Sequence, residues 1–141
     1  MNKQGWISFI AVLVFFEVMS FLVDGLLLGS TYASLQQIWR PDMMSLMWIY
    51  HVIAVIGSFF FVLVFSRGYE GKGIMEGIRY GFYMGVWMGV SYAYGTYAMI
   101  AIPYSLAITW FFSTLVQYIL AGVIAAAIFG KKAVVARAAQ L

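Results

Sequence analysis

Apolar residues fall into four long blocks along the chain, and most charged residues lie between these blocks or beyond them. The blocks cover Trp6–Gly29, Ser45–Ser66, Ile74–Ile100 and Tyr104–Phe129. A helix rises about 1.5 Å per residue, so each block is long enough to cross the ~30 Å hydrocarbon core of a bilayer. The pattern predicts an all-α membrane protein, with four transmembrane helices in a single domain that covers residues 1–141.

The composition supports this prediction and excludes several kinds of chemistry. Hydrophobic residues make up 65% of the chain and charged residues 9%, against about 45–50% and about 25% in soluble domains. The chain has no cysteine and a single histidine, His51, which excludes disulfides, thiolate metal sites and a haem held by two imidazoles of one chain. We expect no cofactor and no bound metal. The net charge of +3 comes from scattered basic residues, which does not indicate a nucleic-acid partner.

The basic residues predict how the helices are oriented. Cytoplasmic loops of membrane proteins carry an excess of Lys and Arg. One side of the predicted bundle has only Arg40, and the other side has Lys3, Arg67, Lys72, Arg79, Lys131, Lys132 and Arg137. We therefore expect two antiparallel hairpins with both termini in the cytoplasm.

The two predicted hairpins share a weak sequence similarity. Gly29-Ser30-Thr31-Tyr32-Ala33 recurs as Gly95-Thr96-Tyr97-Ala98, and Pro41 precedes Trp48 by the interval that separates Pro103 from Trp110. One interpretation is a parallel internal repeat with its axis along the membrane normal. The other is that any outer turn favours proline, glycine and an aromatic residue at the membrane surface.

A glycine occurs at every fourth position around the start of the third block, which places these residues along one face of the helix. This glycine ridge consists of Gly73, Gly77, Gly81, Gly85 and Gly89. A ridge without side chains lets a second helix approach closely. We expect these glycines to form a helix-packing interface.

The predicted partner of the ridge is a small or polar stripe in the fourth block. The stripe consists of Ser105, Thr109, Ser113, Gln117, Ala121 and Ala125. In an antiparallel pair, Ala121 and Ala125 would face the glycines of the inner half, and Gln117 would approach Gly89. The alternatives are a dimer contact, or a groove for a flat apolar molecule such as a quinone, a pigment or a lipid chain.

Several polar residues lie where hydrocarbon surrounds the predicted helices. Glu17 lies ~16 Å along the first block, and Ser20 and Asp24 share its helix face. His51 is ~10 Å from the outer end of the second block, and Asp24 is ~8 Å from the outer end of the first. These depths allow an Asp24–His51 hydrogen bond, and Glu17 and Gln117 share the midplane in the same way.

Two further residues, Tyr94 and Thr109, lie at a level similar to that of Asp24 and His51. An ionisable group at such depth costs of order 3 kcal/mol on insertion scales, which makes it a candidate for function. Interhelical hydrogen bonds, a proton relay, a ligand pocket and a metal site all use such groups. A transition-metal site would need more than one His and two acids.

Two resemblances to known groups bear on the topology. The runs Trp39-Arg40-Pro41-Asp42-Met43-Met44, Tyr69-Glu70-Gly71-Lys72-Gly73 and Gly95-Thr96-Tyr97 resemble a group of small four-span bacterial membrane proteins with no known activity. That resemblance covers most of the chain and implies a bacterial inner membrane. Glu17-Val18 resembles, in position only, the membrane-embedded Glu of small multidrug-resistance transporters. The greater length, Asp24, the larger outer loop and the glycine ridge depart from that family.

Three functions are consistent with this pattern. We expect a non-catalytic accessory or structural subunit that packs against a larger membrane complex. A small oligomeric proton-coupled transporter or channel that uses Glu17 and Asp24 is the first alternative, and a binder of an apolar ligand along the glycine ridge is the second. One histidine and two intramembrane acids do not make a convergent catalytic site, so we do not expect an enzyme. The expected partners are the bilayer, other membrane subunits or further copies of the chain.

Overall fold

The computed structural model describes the backbone of residues 1–138 and the side chains of residues 1–130, and this part of the chain contains no β-strand. The helices are α1 (Lys3–Ser20), α2 (Gly29–Ser34), α3 (Trp48–Gly68), α4 (Ile74–Gly89), α5 (Gly95–Met99) and α6 (Tyr104–Ala138). A π-helical segment, Phe21–Leu27, continues α1, and a second, Val90–Tyr94, joins α4 to α5. A short 3₁₀ helix, Met43–Leu46, precedes α3. The predicted all-α class is confirmed.

In the described part of the chain, three helical runs are long and apolar enough to cross a membrane. They are Lys3–Leu27, Met43–Gly68 and Tyr104–Gly130, and they correspond to the first, second and fourth predicted blocks. The run from Ile74 to Met99 is helical throughout, and its bounds match the third block. Its five glycines and five tyrosines make it less apolar than the other three. The side chains of Lys131, Lys132 and Arg137 lie outside the described residues.

Local interactions explain where the helices begin. The Asn2 side chain accepts a hydrogen bond from the Gly5 N–H at 2.9 Å and so caps α1. Gly71 and Gly73, in the α3–α4 connection, have φ of 81° and 83°, a region that residues with a side chain rarely adopt. In the first turn of α4, the Glu76 carboxylate accepts hydrogen bonds from the backbone N–H groups of residues 70 and 72, at 2.6 and 2.9 Å. This carboxylate ties the connection to the start of α4.

The glycine ridge of α4 packs directly on α6. A Cβ atom at Gly77 would overlap the carbonyl oxygen of Gly122, and one at Gly81 would overlap that of Tyr118. The contact loosens toward the other end of α4. A Cβ at Gly85 would lie 3.0 Å from the Leu115 Cα, and one at Gly89 would lie 3.1 Å from the Phe111 ring. All four glycines are buried, so the ridge brings two helix backbones together.

The face of α6 that meets the ridge is not the predicted stripe, which corrects the expected pairing. Ala121 and Ala125 are fully buried, but they belong to a core with Val12 of α1 and Phe61 of α3. The ridge instead meets the neighbouring face, which consists of Phe111, Leu115, Tyr118, Ile119, Gly122 and Ala126. Gly73 takes no part in this contact. It precedes α4, and no other described part of the chain lies within 4 Å of a Cβ placed there.

Two apolar cores hold the bundle together, one near each end. The first lies toward the α3–α4 connection, which we call the basic end, and consists of Val12, Phe61, Val62, Phe65, Ala121, Ala125, Ala126 and Phe129. The second lies toward the long 28–47 connection, the loop end, and consists of Leu28, Ala93, Ile102, Leu106, Ala107 and Trp110. No residue of α3 belongs to the second core. The first half of α3 is therefore exposed on the surface of the single chain.

We expect Gly81→Ala to destabilise the bundle by about 1–3 kcal/mol or more, because overpacking a close contact forces backbones apart. Thermal unfolding of the purified protein in detergent measures this effect. Gly85→Ala should cost less, since its Cβ has more room.

Gly57→Ala, within α3, is the matched control, because nothing lies within 4 Å of its added Cβ. Alanine is also the better helix former. Equal stability of wild type and Gly81→Ala, or a greater loss in Gly57→Ala, would contradict the packing described for α4 and α6.

Candidate functional site

The structure joins Glu17 and His51, which lie on two different helices. Glu17 is in the last turn of α1, and His51 is in the first turn of α3. The His51 Nδ1 atom lies 2.9 Å from Glu17 Oε2 and 3.1 Å from Oε1. The predicted pairings of Glu17 with Gln117 and of Asp24 with His51 are therefore corrected. At these distances Nδ1 and the carboxylate are joined by a hydrogen bond.

This pair faces outward rather than into the bundle. The His51 side chain is 67% exposed and that of Glu17 is 35% exposed on the single chain. The residues around His51 on the first half of α3 are exposed as well, including Trp48, Ile53 and Ile56. We call the surface formed by Glu17 and by the exposed residues 48–57 of α3 the polar-centred face. It is an apolar surface with an acid and an imidazole at its centre.

Asp24 lies in the π-helical continuation of α1 and has partners of its own. The Tyr32 hydroxyl donates a hydrogen bond to Asp24 Oδ1 at 2.8 Å, and the Ser20 hydroxyl donates to Oδ2 at 3.0 Å. The Trp110 indole N–H in turn donates to the Tyr32 hydroxyl oxygen at 2.8 Å. This chain of hydrogen bonds links α1, α2 and α6 beside the second core.

The same tyrosine also fixes the long connection. Trp39 donates its indole N–H to the Tyr32 carbonyl oxygen at 3.2 Å, and the two rings meet edge-to-face with centroids 5.8 Å apart. Burial and the neighbouring Asp24 carboxylate raise the pKa of the Tyr32 hydroxyl, so the hydroxyl stays protonated and can donate. Farther along, Arg40 donates two hydrogen bonds to Asp42, which lowers the pKa of that exposed carboxyl.

The remaining predicted residues, among those that the structure describes, form no hydrogen bond with either arrangement. The Thr109 hydroxyl bonds to the Ser105 carbonyl oxygen of its own helix at 2.8 Å. The Tyr94 ring packs against the rings of Tyr104 and Phe111, and Gln117 is half-buried on α6. In the described part of the chain, no three His, Asp or Glu residues lie close enough together to hold a metal ion.

The pattern of the sequence did not indicate Tyr32 as the partner of Asp24, or Trp110 as the partner of Tyr32. Tyr32 follows Asp24 by eight residues, which in a continuous helix places the two side chains near one face. The spacing along the sequence was therefore sufficient to indicate this pair. Trp110 was not identifiable in this way, because it lies 78 residues farther along the chain and only packing brings it near.

Comparisons with protein-family models, with curated proteins and with solved structures found no match.

We expect Tyr32→Phe to destabilise the loop end by about 1–3 kcal/mol, because it leaves the Asp24 Oδ1 atom and the Trp110 indole N–H each without the partner they have in the wild type. Thermal unfolding in detergent measures the loss, with Tyr50→Phe as the control, since Tyr50 is 55% exposed.

A double-mutant cycle with Trp110→Phe separates the shared hydrogen bond from the other contacts of the two side chains. Additive effects of the two substitutions would contradict the network.

Proposed function

We propose that this chain is a non-catalytic accessory subunit of a larger complex in a bacterial inner membrane. It crosses the membrane four times as two antiparallel hairpins with both termini in the cytoplasm. Its polar-centred face packs against another membrane-embedded chain. The observation that carries this proposal is the Glu17–His51 pair, which is exposed on the surface of the single chain.

The depth of the pair supports burial against protein rather than lipid. Glu17 follows Lys3 by 14 residues and precedes Leu27 by 10, which correspond to about 21 Å and about 15 Å of helix. The carboxylate therefore lies within the hydrocarbon of a bilayer that this helix spans. Ionisable groups at such depth face protein or a water-filled cavity, because lipid does not solvate them.

The apolar surface around the pair, and the hydrogen-bonding capacity of the pair itself, are consistent with a protein partner. The apolar residues of α3 around the pair suit either lipid or another helix, but the pair itself has hydrogen-bonding capacity beyond its single contact. A polar side chain on the neighbouring subunit would use this capacity. The seven-to-one distribution of basic residues supports the proposed orientation.

We expect Glu17→Leu and His51→Leu each to weaken association with the partner by about threefold to thirtyfold, the range that one interhelical polar contact of about 0.6–2 kcal/mol provides. The measurement is quantitative mass spectrometry of the tagged protein extracted from its native membrane in mild detergent.

Asp42→Leu is the matched control, because it makes the same acid-to-leucine change in the exposed outer connection. Recovery of larger subunits in stoichiometric amount with wild type, and in reduced amount with both leucine variants, would support the proposal. Recovery of wild type without any other subunit would contradict it.

A proton-coupled transporter is the second candidate, and one observation favours it. The contact of an imidazole with a carboxylate inside a membrane is an arrangement through which a proton can pass. Purified protein in liposomes with an internal pH dye would then show proton flux, and Glu17→Gln would abolish that flux without changing thermal stability. Equal flux in wild type and Glu17→Gln would exclude this function.

A further inference from the structure

A cleft of about 320 Å³ opens at the basic end of the bundle, where α3 ends and α4 begins. It is lined by Gly68, Glu70, Lys72, Glu76, Arg79, Tyr80 and Tyr83. A smaller cavity of about 150 Å³ is lined by Val64, Phe65, Gly68, Glu76 and Tyr80. The two share three residues, so the second continues the first. Together they form a polar compartment that leads into an apolar slot between α3 and α4.

Some charged side chains in the polar compartment have a hydrogen-bond or ion-pair partner in the described part of the chain, and one does not. Lys72 forms an ion pair with Glu70 and lowers the pKa of that carboxyl. Both Glu76 oxygens accept backbone N–H groups of the connection. Among the described residues, Arg79 has no ion-pair partner, and it is exposed. Its charge helps to lower the pKa of the Glu70 carboxyl, but its N–H donors make no direct contact with a described acid and can bind an anion.

The chemistry around Arg79 suits a phosphate. A guanidinium presents several N–H donors in a plane, and this geometry matches two phosphate oxygens. Tyr83, one helical turn farther along α4, is 67% exposed and offers a hydroxyl donor beside it. The basic end also has Lys3 and Arg67, so its described cationic side chains outnumber its two acidic ones. The lining of the cleft has two basic and two acidic side chains, so the excess of positive charge that favours an anion comes from the surrounding basic end.

The apolar slot suits a hydrocarbon chain. Val64 and Phe65 lie on α3 about one turn deeper than Gly68, and Val64 is 51% exposed. The Tyr80 hydroxyl donates to the Phe61 carbonyl oxygen at 2.7 Å, so this polar group on the slot wall is satisfied. The slot begins at the level where the last turn of α3 would leave the hydrocarbon, which is where the headgroup and the chains of a lipid join.

We propose that this cleft is a binding site for an anionic phospholipid of the bilayer. Arg79 binds the phosphate, and one acyl chain lies in the slot between α3 and α4. The cleft is on the α3–α4 side, away from Glu17 and His51, so lipid binding there needs no partner subunit.

The test compares lipids of equal chain length and different headgroup charge. Protein stripped of lipid is given phosphatidylglycerol, phosphatidylcholine or inorganic phosphate, and binding is measured by native mass spectrometry and by the shift in thermal stability. Phosphatidylglycerol should bind more tightly and stabilise more than phosphatidylcholine, and inorganic phosphate should not stabilise. Arg79→Gln should weaken phosphatidylglycerol binding by about fivefold or more, the effect of one basic residue at a membrane surface.

Two further variants distinguish lipid binding in the cleft from general electrostatic attraction of anionic lipid to the basic end. Arg67→Gln removes a neighbouring exposed arginine that does not line the cleft, and it should change the affinity less than Arg79→Gln. Val64→Trp fills the slot and should reduce lipid binding even if Arg79→Gln fails to fold. Equal affinity for the two lipids, unchanged binding in Arg79→Gln or in Val64→Trp, or equal stabilisation by inorganic phosphate would each overturn the proposal.

Discussion

The rest of the bundle depends on the contact between the backbones of α4 and α6. Helices surrounded by lipid gain little from the hydrophobic effect when they associate, so close approach and dispersion contacts replace it. Gly77 and Gly81 on α4 and Gly122 on α6 allow that approach, because a Cβ atom at any of them would overlap a backbone carbonyl of the other helix. This contact sets the rotation of α6 about its axis. It therefore turns Ala121 and Ala125 toward α1 and α3, where they complete the core at the basic end.

The position of the polar pair follows from how the other helices pack around α6. α1 contacts both α6 and α3. Ser8 of α1 and Ser58 of α3, which have small side chains, are fully buried. α3 contributes Phe61, Val62 and Phe65 to the core at the basic end and nothing to the core at the loop end. Its first half is consequently left on the outside of the bundle. The same geometry that buries the aromatic half of α3 exposes His51, and with it the acid that His51 contacts.

The two hairpins share a local feature that bears on the internal repeat. In each hairpin the first helix, α1 or α4, changes from α to π, at Phe21–Leu27 and at Val90–Tyr94. A short helix then begins at Gly29 in the first hairpin and at Gly95 in the second, the two glycines that start the similar sequence runs. Single π-helical turns often occur at functional sites, and the first one here contains Asp24. The common order of π segment, glycine and short helix favours a repeat, since a general preference for turn residues does not require a π segment in both hairpins.

The sequence by itself determined the helices, because helix length and hydropathy are local properties. The four apolar blocks, the glycine ridge and the positions of Glu17, Asp24 and His51 along their helices are all readable along the chain. Only the tertiary structure decided which faces meet. Ala121 and Gly122 are adjacent in sequence but lie about 100° apart around α6, so a stripe of small residues did not identify the face opposite the ridge. Likewise, positions along the helices allowed several partners for His51 and for Asp24. His51 contacts Glu17, and Asp24 contacts Tyr32, because of how the packed helices are rotated and tilted. Those quantities depend on side-chain contacts between residues far apart in sequence, which no local pattern along the chain contains.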